Sequence, residues 1–123
     1  MTTEQSLLIV DDNAPFVSAC EHYLTECGFR VRKALSGPEA VTLCAEEQES
    51  VDLAIVDLNM PELDGPATID ALKKQRPGIR VIAISGATLV PYFVQLHDLG
   101  VRHFLPKPFY LDGLLDSIRV AMN

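Results

Sequence analysis

Four short apolar runs in this chain each end on a residue that could do chemistry. "LLIV" (Leu7–Val10) leads into Asp11–Asp12, and "LAIV" (Leu53–Val56) leads into Asp57. "VIAI" (Val81–Ile84) ends at Ser85–Gly86, and "VRHFLP" ends at Lys107–Pro108. An acid pair, a third acid, a hydroxyl and an ammonium suit phosphoryl chemistry. Clustered carboxylates repel one another unless a cation joins them. A hard divalent ion with oxygen ligands is the natural occupant, and Mg²⁺ is favoured by its octahedral demand and few protein ligands. An aspartate can act as nucleophile and form an acyl phosphate. A hydroxyl and a lysine can then hold the phosphoryl oxygens while the metal offsets their charge. Each residue taken singly has a plainer use: acids against a helix dipole, a solvated strand end, a turn cap, a surface lysine. Their convergence on one rim is what favours the chemical reading.

That convergence depends on the elements carrying them. Leu7–Val10, Leu53–Val56 and Val81–Ile84 are apolar without alternation, the pattern of strands covered on both faces. Phe29–Lys33, more polar, and Val101–Leu105 complete a set of five predicted strands. Helices with readable punctuation lie between them. Asn13 with Pro15 opens the first, which ends at Gly28. Ser36–Gly37–Pro38–Glu39 is a capping box for the second, and Asp64 caps a third that stops before Pro77–Gly78. The fourth is predicted from about Thr88 to Leu99, ahead of Gly100, and the fifth from about Leu111 to Met122. Strict alternation of strand and helix predicts an α/β fold with a parallel sheet covered on both faces. Ligands in such folds sit at the carboxyl ends of the strands, where all the residues above are found.

Composition narrows the classes. At 123 residues the chain suits one domain, 1–123, and its net charge of −7 argues against a nucleic-acid surface. "MTTEQS" is no signal peptide, and no apolar run approaches a membrane span, so a cytoplasmic protein is expected. Cys20, Cys27 and Cys44 lack metal-ligand spacing and an even count, so they read as reduced, core-filling thiols. His22, His97 and His103 also lack ligand spacing and read as structural or solvated.

"IVDDN", "VDLNMPELDG", "ISGAT" and "FLPKPF" resemble the signature regions of bacterial response-regulator receiver domains, from about Leu7 to Ala121. The most specific, D-x-x-M-P-x-x-D-G, is complete at Asp57–Gly65. The resemblance implies a flavodoxin-like (βα)5 fold with strand order 2-1-3-4-5, for which the chemotaxis member of the family is a standard example. It also implies that Asp57 is the phosphoacceptor, with Mg²⁺ bound by Asp12 directly, by Asp11 largely through water, by Asp57 and by the Asn59 backbone carbonyl. Ser85 would bond the phosphoryl group, Lys107 would pair with it, and Phe104 would be the aromatic switch. Asn59 and Ala87 fall where family members tune the phosphoryl lifetime, and Lys107–Pro108 where a cis peptide is common. The partners implied are a histidine kinase or histidine phosphotransfer protein and a downstream protein target, within a two-component phosphorelay. No output domain is expected after the fifth helix.

Two stretches depart from the family pattern. The fourth helix opens on apolar "ATLVPYF", which would leave Leu89, Val90 and Tyr92 partly outward while Phe93, Leu96 and Leu99 face the sheet. That face, with the fifth strand and fifth helix, is a candidate surface for a partner or a homodimer; alternatively Pro91 delays the helix and folds these residues inward. Tyr110 stands where the family often has a capping Asp. Three other functions stay open on the residues alone. One is a phosphorylation-independent adaptor. Another is a small Mg²⁺-dependent aspartyl-phosphate phosphatase, though Asn59 replaces the second acid of its motif. The third is a flavodoxin relative, though "DDNAPF" is hostile to a flavin phosphate.

Overall fold

The computed structural model describes residues 5–46, 51–86 and 90–123, with Val90 described by its backbone. Five parallel strands, β1 (Ser6–Val10), β2 (Arg30–Ala34), β3 (Leu53–Asp57), β4 (Arg80–Ser85) and β5 (His103–Pro106), form one sheet. Their order is β2-β1-β3-β4-β5, the flavodoxin-like arrangement. The helices are α1 (Ala14–Glu26), α2 (Gly37–Glu46), α3 (Gly65–Gln75), α4 (Phe93–Asp98) and α5 (Leu111–Met122).

Side chains alternate across a strand, so each apolar run serves two cores at once. Leu7, Ile9, Leu53, Ile55, Ile82 and Ile84 pack with Val17, Cys20 and Leu24 of α1 and Leu114 and Ile118 of α5. Leu8, Val10, Ala54, Val56, Val81 and Ala83 face the other way, toward Ala40 and Cys44 of α2, Ile69 and Leu72 of α3 and Leu96 of α4. The same period places Asp57 in phase with Leu53 and Ile55. The pairs Leu7↔Leu53 and Ile9↔Ile55 show that Asp11, in phase with Leu7 and Ile9, continues toward Asp57.

Local chemistry explains the helix ends. Asn13 Oδ1 accepts from Phe16 N at 3.1 Å, and Asp64 Oδ1 accepts from Ala67 N at 2.9 Å. Ser36 Oγ accepts from Glu39 N at 3.1 Å, one half of the capping box. Gly28 and Gly100 have φ of 98° and 78°, which closes α1 and α4 with paired bonds back into the last turn. Phe29 N donates to Leu24 O and Val101 N donates to Leu96 O. Those caps claim Phe29 and Val101, which is why β2 starts at Arg30 and β5 at His103, each later than the apolar pattern suggested.

The fourth helix differs most from expectation. A single 3-10 turn spans Val90–Tyr92, and the α-helix opens only at Phe93. Pro91 lacks an N–H and disfavours helical backbone before it, so a continuous start from Thr88 is unfavourable. Ala87, Thr88 and Leu89 and the side chain of Val90 lie outside the described residues. Phe93 faces the sheet only in part: its ring meets Phe104 of β5 while it stays 48 % exposed, and Val94 is 76 % exposed. Tyr92, expected partly outward, is half-buried against the core beside Leu99 and Phe104. Cys27, expected to fill core, is an exposed C-cap, while Cys20 and Cys44 are buried.

Candidate functional site

The carboxyl ends of β1, β3, β4 and β5 meet at one rim. Asp57 closes β3 and is only 5 % exposed; Asp11 follows β1 and is fully buried; Asp12 is exposed beside it. Oxygens of the three carboxylates lie within 4.8 Å of one another. Lys107 reaches across from β5, held in place by its backbone N–H donating to Ser85 O at 2.8 Å. Its Nζ donates to Asp11 Oδ2 at 2.6 Å and lies 3.9 Å from Asp57 Oδ2. The ammonium also sits 4.5 Å from the centroid of the Phe16 ring, which packs edge-on against Phe109. The Lys107–Pro108 peptide is cis.

The loop after β3 is built to present Asp57. Leu58 N donates to Ile84 O at 2.9 Å, and Gly65 N donates back to Leu58 O at 3.2 Å. A Cβ on Gly65 would lie 2.4 Å from Leu58 Cα and 2.6 Å from Asp57 O, so this position of the motif admits only glycine. Asn59 N donates to Asp57 Oδ1 at 3.3 Å. The Asn59 side chain donates from Nδ2 to Ser85 Oγ at 2.8 Å and accepts at Oδ1 from the Tyr92 hydroxyl at 2.7 Å.

Burial raises the Asp57 carboxyl above its ordinary value of 3.8, and the neighbouring Asp11 charge pushes the same way. The Asn59 N–H and Lys107 pull against these, and Asp12 adds a further upward push. One ammonium among three carboxylates leaves the rim short of positive charge. All its acidic donors are oxygens, the ligand type of a hard divalent cation, so the residues fit Mg²⁺.

Every residue singled out for chemistry (Asp11, Asp12, Asp57, Asn59, Ser85 and Lys107) stands at this rim. Phe104 is half-buried on β5, its ring meeting Phe93 edge-on with centroids 5.9 Å apart. Two contributors escaped sequence reasoning. Phe16 carries no motif beyond its place in "DDNAPF", and the Tyr92 hydroxyl reaches Asn59 only because the Pro91 turn brings it inward.

Residues 7–119 match the family model of the response regulator receiver domain. The chain belongs to that family, and such domains serve two-component signalling. A CheY-like response regulator receiver domain protein from Methanospirillum hungatei JF-1 superposes with a TM-score of 0.90 at 25 % identity, covering 98 % of this chain and 94 % of that one. A response regulator from Burkholderia pseudomallei, solved with a phosphorylated aspartic acid, a calcium ion and citrate, gives 0.82 at 25 % identity, covering 95 % and 71 %. The transcriptional regulatory protein PrrA of Mycobacterium bovis is 30 % identical over 121 residues, 98 % of this chain and 51 % of PrrA. The chain spans about half or less of the curated relatives it matches, which include a sensor kinase and transcriptional regulators. Among the described residues no helix is long and apolar enough to cross a membrane.

Proposed function

We propose that this receiver domain is a phosphoacceptor in a two-component phosphorelay, taking a phosphoryl group on Asp57 from the phosphohistidine of a kinase or phosphotransfer protein. The observation that carries the reading is the Asp57 carboxylate, nearly buried, with two further acids within 4.8 Å and the Lys107 ammonium at 3.9 Å. Asp57 attacks phosphorus; the P–N bond of the donor breaks, a P–O bond forms, and the imidazole leaves with a solvent proton. Asp11, Asp12, Asp57 and the Asn59 carbonyl would hold Mg²⁺, which supplies charge compensation on the phosphoryl oxygens. Lys107, now tied to Asp11, and the Ser85 hydroxyl are the groups able to contact those oxygens.

The added charge, about −2, has its structural readout through Ser85, Lys107 and Phe104. The output is protein binding on the face of α4, β5 and α5, where Phe93, Val94 and Val120 are exposed; a second copy or a downstream protein would dock there. Intact-mass spectrometry after incubation with acetyl phosphate and Mg²⁺ tests the reading. One added phosphoryl group is expected, dependent on the metal and absent in Asp57→Asn. No adduct, with no binding of beryllofluoride either, would leave a phosphorylation-independent adaptor.

A further inference from the structure

The acidic rim occupies the carboxyl ends of the strands, and the opposite end of the sheet carries a charged feature of the other sign. Where β4 and β5 begin lies a hollow of about 190 Å³ whose lining includes Lys73, Arg80, Arg102 and His103. Its apolar lining, Ile79, Val81 and Ala121, is buried. Among the described residues no carboxylate lines it. In a chain of net charge −7 this is a local reversal of sign.

Neighbouring side chains do not use these cations. Among the described residues Lys33, Lys74 and Lys107 pair with carboxylates, whereas Lys73, Arg80 and Arg102 form no ion pair. Lys73 Nζ makes one long bond, to Ile79 O at 3.5 Å, so an ammonium with three hydrogens has donors left. The helix dipole accounts for Lys73, which stands in the last turn of α3. It does not account for Arg80, at the start of β4, or Arg102, just before β5. Two guanidiniums and an ammonium offer three permanent charges and N–H donors suited to oxyanions. A carboxylate, with one charge, offsets that set less fully than a phosphate-type group with two or more. Size bounds the ligand as well: the hollow is smaller than the clefts of about 300–1,000 Å³ that take drug-sized ligands. The next hollow along β5 shares Arg102 and His103 but adds Asp116, whose charge opposes an extended polyanion such as nucleic acid. We propose that the hollow at the amino ends of β4 and β5 binds a compact phosphate-bearing small molecule, with Lys73, Arg80 and Arg102 on its oxygens and His103 as a further donor. It lies at the other end of β5 from Lys107, so its occupation leaves the phosphorylation rim open.

Amide-detected NMR of the full chain, titrated with inorganic pyrophosphate in metal-free buffer at constant ionic strength, tests the proposal. Saturable shifts are expected at Arg80, Gly100, Arg102 and His103, with the signals of Asp57 and Lys107 unmoved and succinate binding more weakly. Arg80→Gln and Arg102→Gln remove exposed side chains, and each is expected to raise the pyrophosphate Kd about tenfold, the size of one charge-assisted hydrogen bond. Asp57→Asn is expected to bind as wild type does. Shifts that grow linearly without saturating, shifts centred away from the hollow, or an unchanged Kd in both arginine variants would each overturn the site. Succinate binding as tightly as pyrophosphate would overturn the phosphate class of its ligand.

Discussion

Replacing Asp57 by asparagine removes a charge from a crowded, nearly buried site without changing its shape. Two carboxylates stand within 4.8 Å of Asp57, and at an effective dielectric near 20 each repels it by about 3.5 kcal/mol. Lys107 at 3.9 Å returns about 4 kcal/mol of attraction on the same scale. Asp12 is exposed, so its share is largely screened, while the desolvation of a carboxylate only 5 % exposed adds to the cost. Asparagine retains an acceptor for Asn59 N and leaves the 2.6 Å pair of Lys107 and Asp11 in place. The balance favours the variant by about 2 kcal/mol, or about 6 °C in Tm for a chain of this size.

The pH dependence separates this cause from a generic packing gain. Burial, then Asp11, hold the Asp57 carboxyl above 3.8, so the unfolded chain releases this proton at lower pH than the folded one. Wild-type stability from this group is therefore lost as pH rises from 3.8 through the folded value, and asparagine has no such loss. Calorimetry of both proteins in metal-free buffer from about pH 4 to about pH 8 should show the advantage of Asp57→Asn opening with pH and closing toward the acid end. An advantage of constant size across pH, or a variant less stable than wild type at neutrality, would refute the electrostatic account.

Cation binding should act on the same surplus of negative charge: Mg²⁺ at about ten times its Kd is expected to add about 1.4 kcal/mol of stability, read as a rise in Tm that Asp11→Asn and Asp12→Asn abolish. Thiol labelling of the native chain should modify exposed Cys27 quickly and buried Cys20 and Cys44 only on unfolding, counted by mass spectrometry. Burial, reinforced by Asp11, pushes the Cys20 thiol from 9.0 to about 11. Above pH 9 the unfolded thiol ionises first, so this group alone should lower stability with rising pH by at most about 1.4 kcal/mol per unit. Tyr110, 85 % exposed, starts α5 without a side-chain cap, so Tyr110→Asp should stabilise the fold by about 1 kcal/mol in urea titration.

The parts of the fold legible in the sequence are those where one physical rule acts locally. Apolar runs without alternation marked the buried strands, and Asn13, Ser36, Asp64, Gly28 and Gly100 marked helix ends because each satisfies backbone groups within a few residues of itself. The acids, hydroxyl and lysine of the rim were legible because each stands at or just beyond a strand end. What stayed hidden required two distant segments to be known together. Phe16 lies beneath Lys107 only once α1 and β5 are docked, and a residue pair 91 positions apart leaves no periodicity. In the sequence Gly65 is only the last position of D-x-x-M-P-x-x-D-G, yet the decisive constraint on it is the approach of the Leu58 and Asp57 backbone. Tyr92 shows the difference most clearly. Helical spacing assigned its neighbours to faces on the premise that the helix began before it, and Pro91 removed that premise. With the helix opening at Phe93 instead, Phe93 stays half exposed beside Phe104 of β5 and Tyr92 turns in to the amide of Asn59. One missing N–H thus redirects Tyr92 from the surface to the rim, at the segment through which the rim and the α4 face are joined.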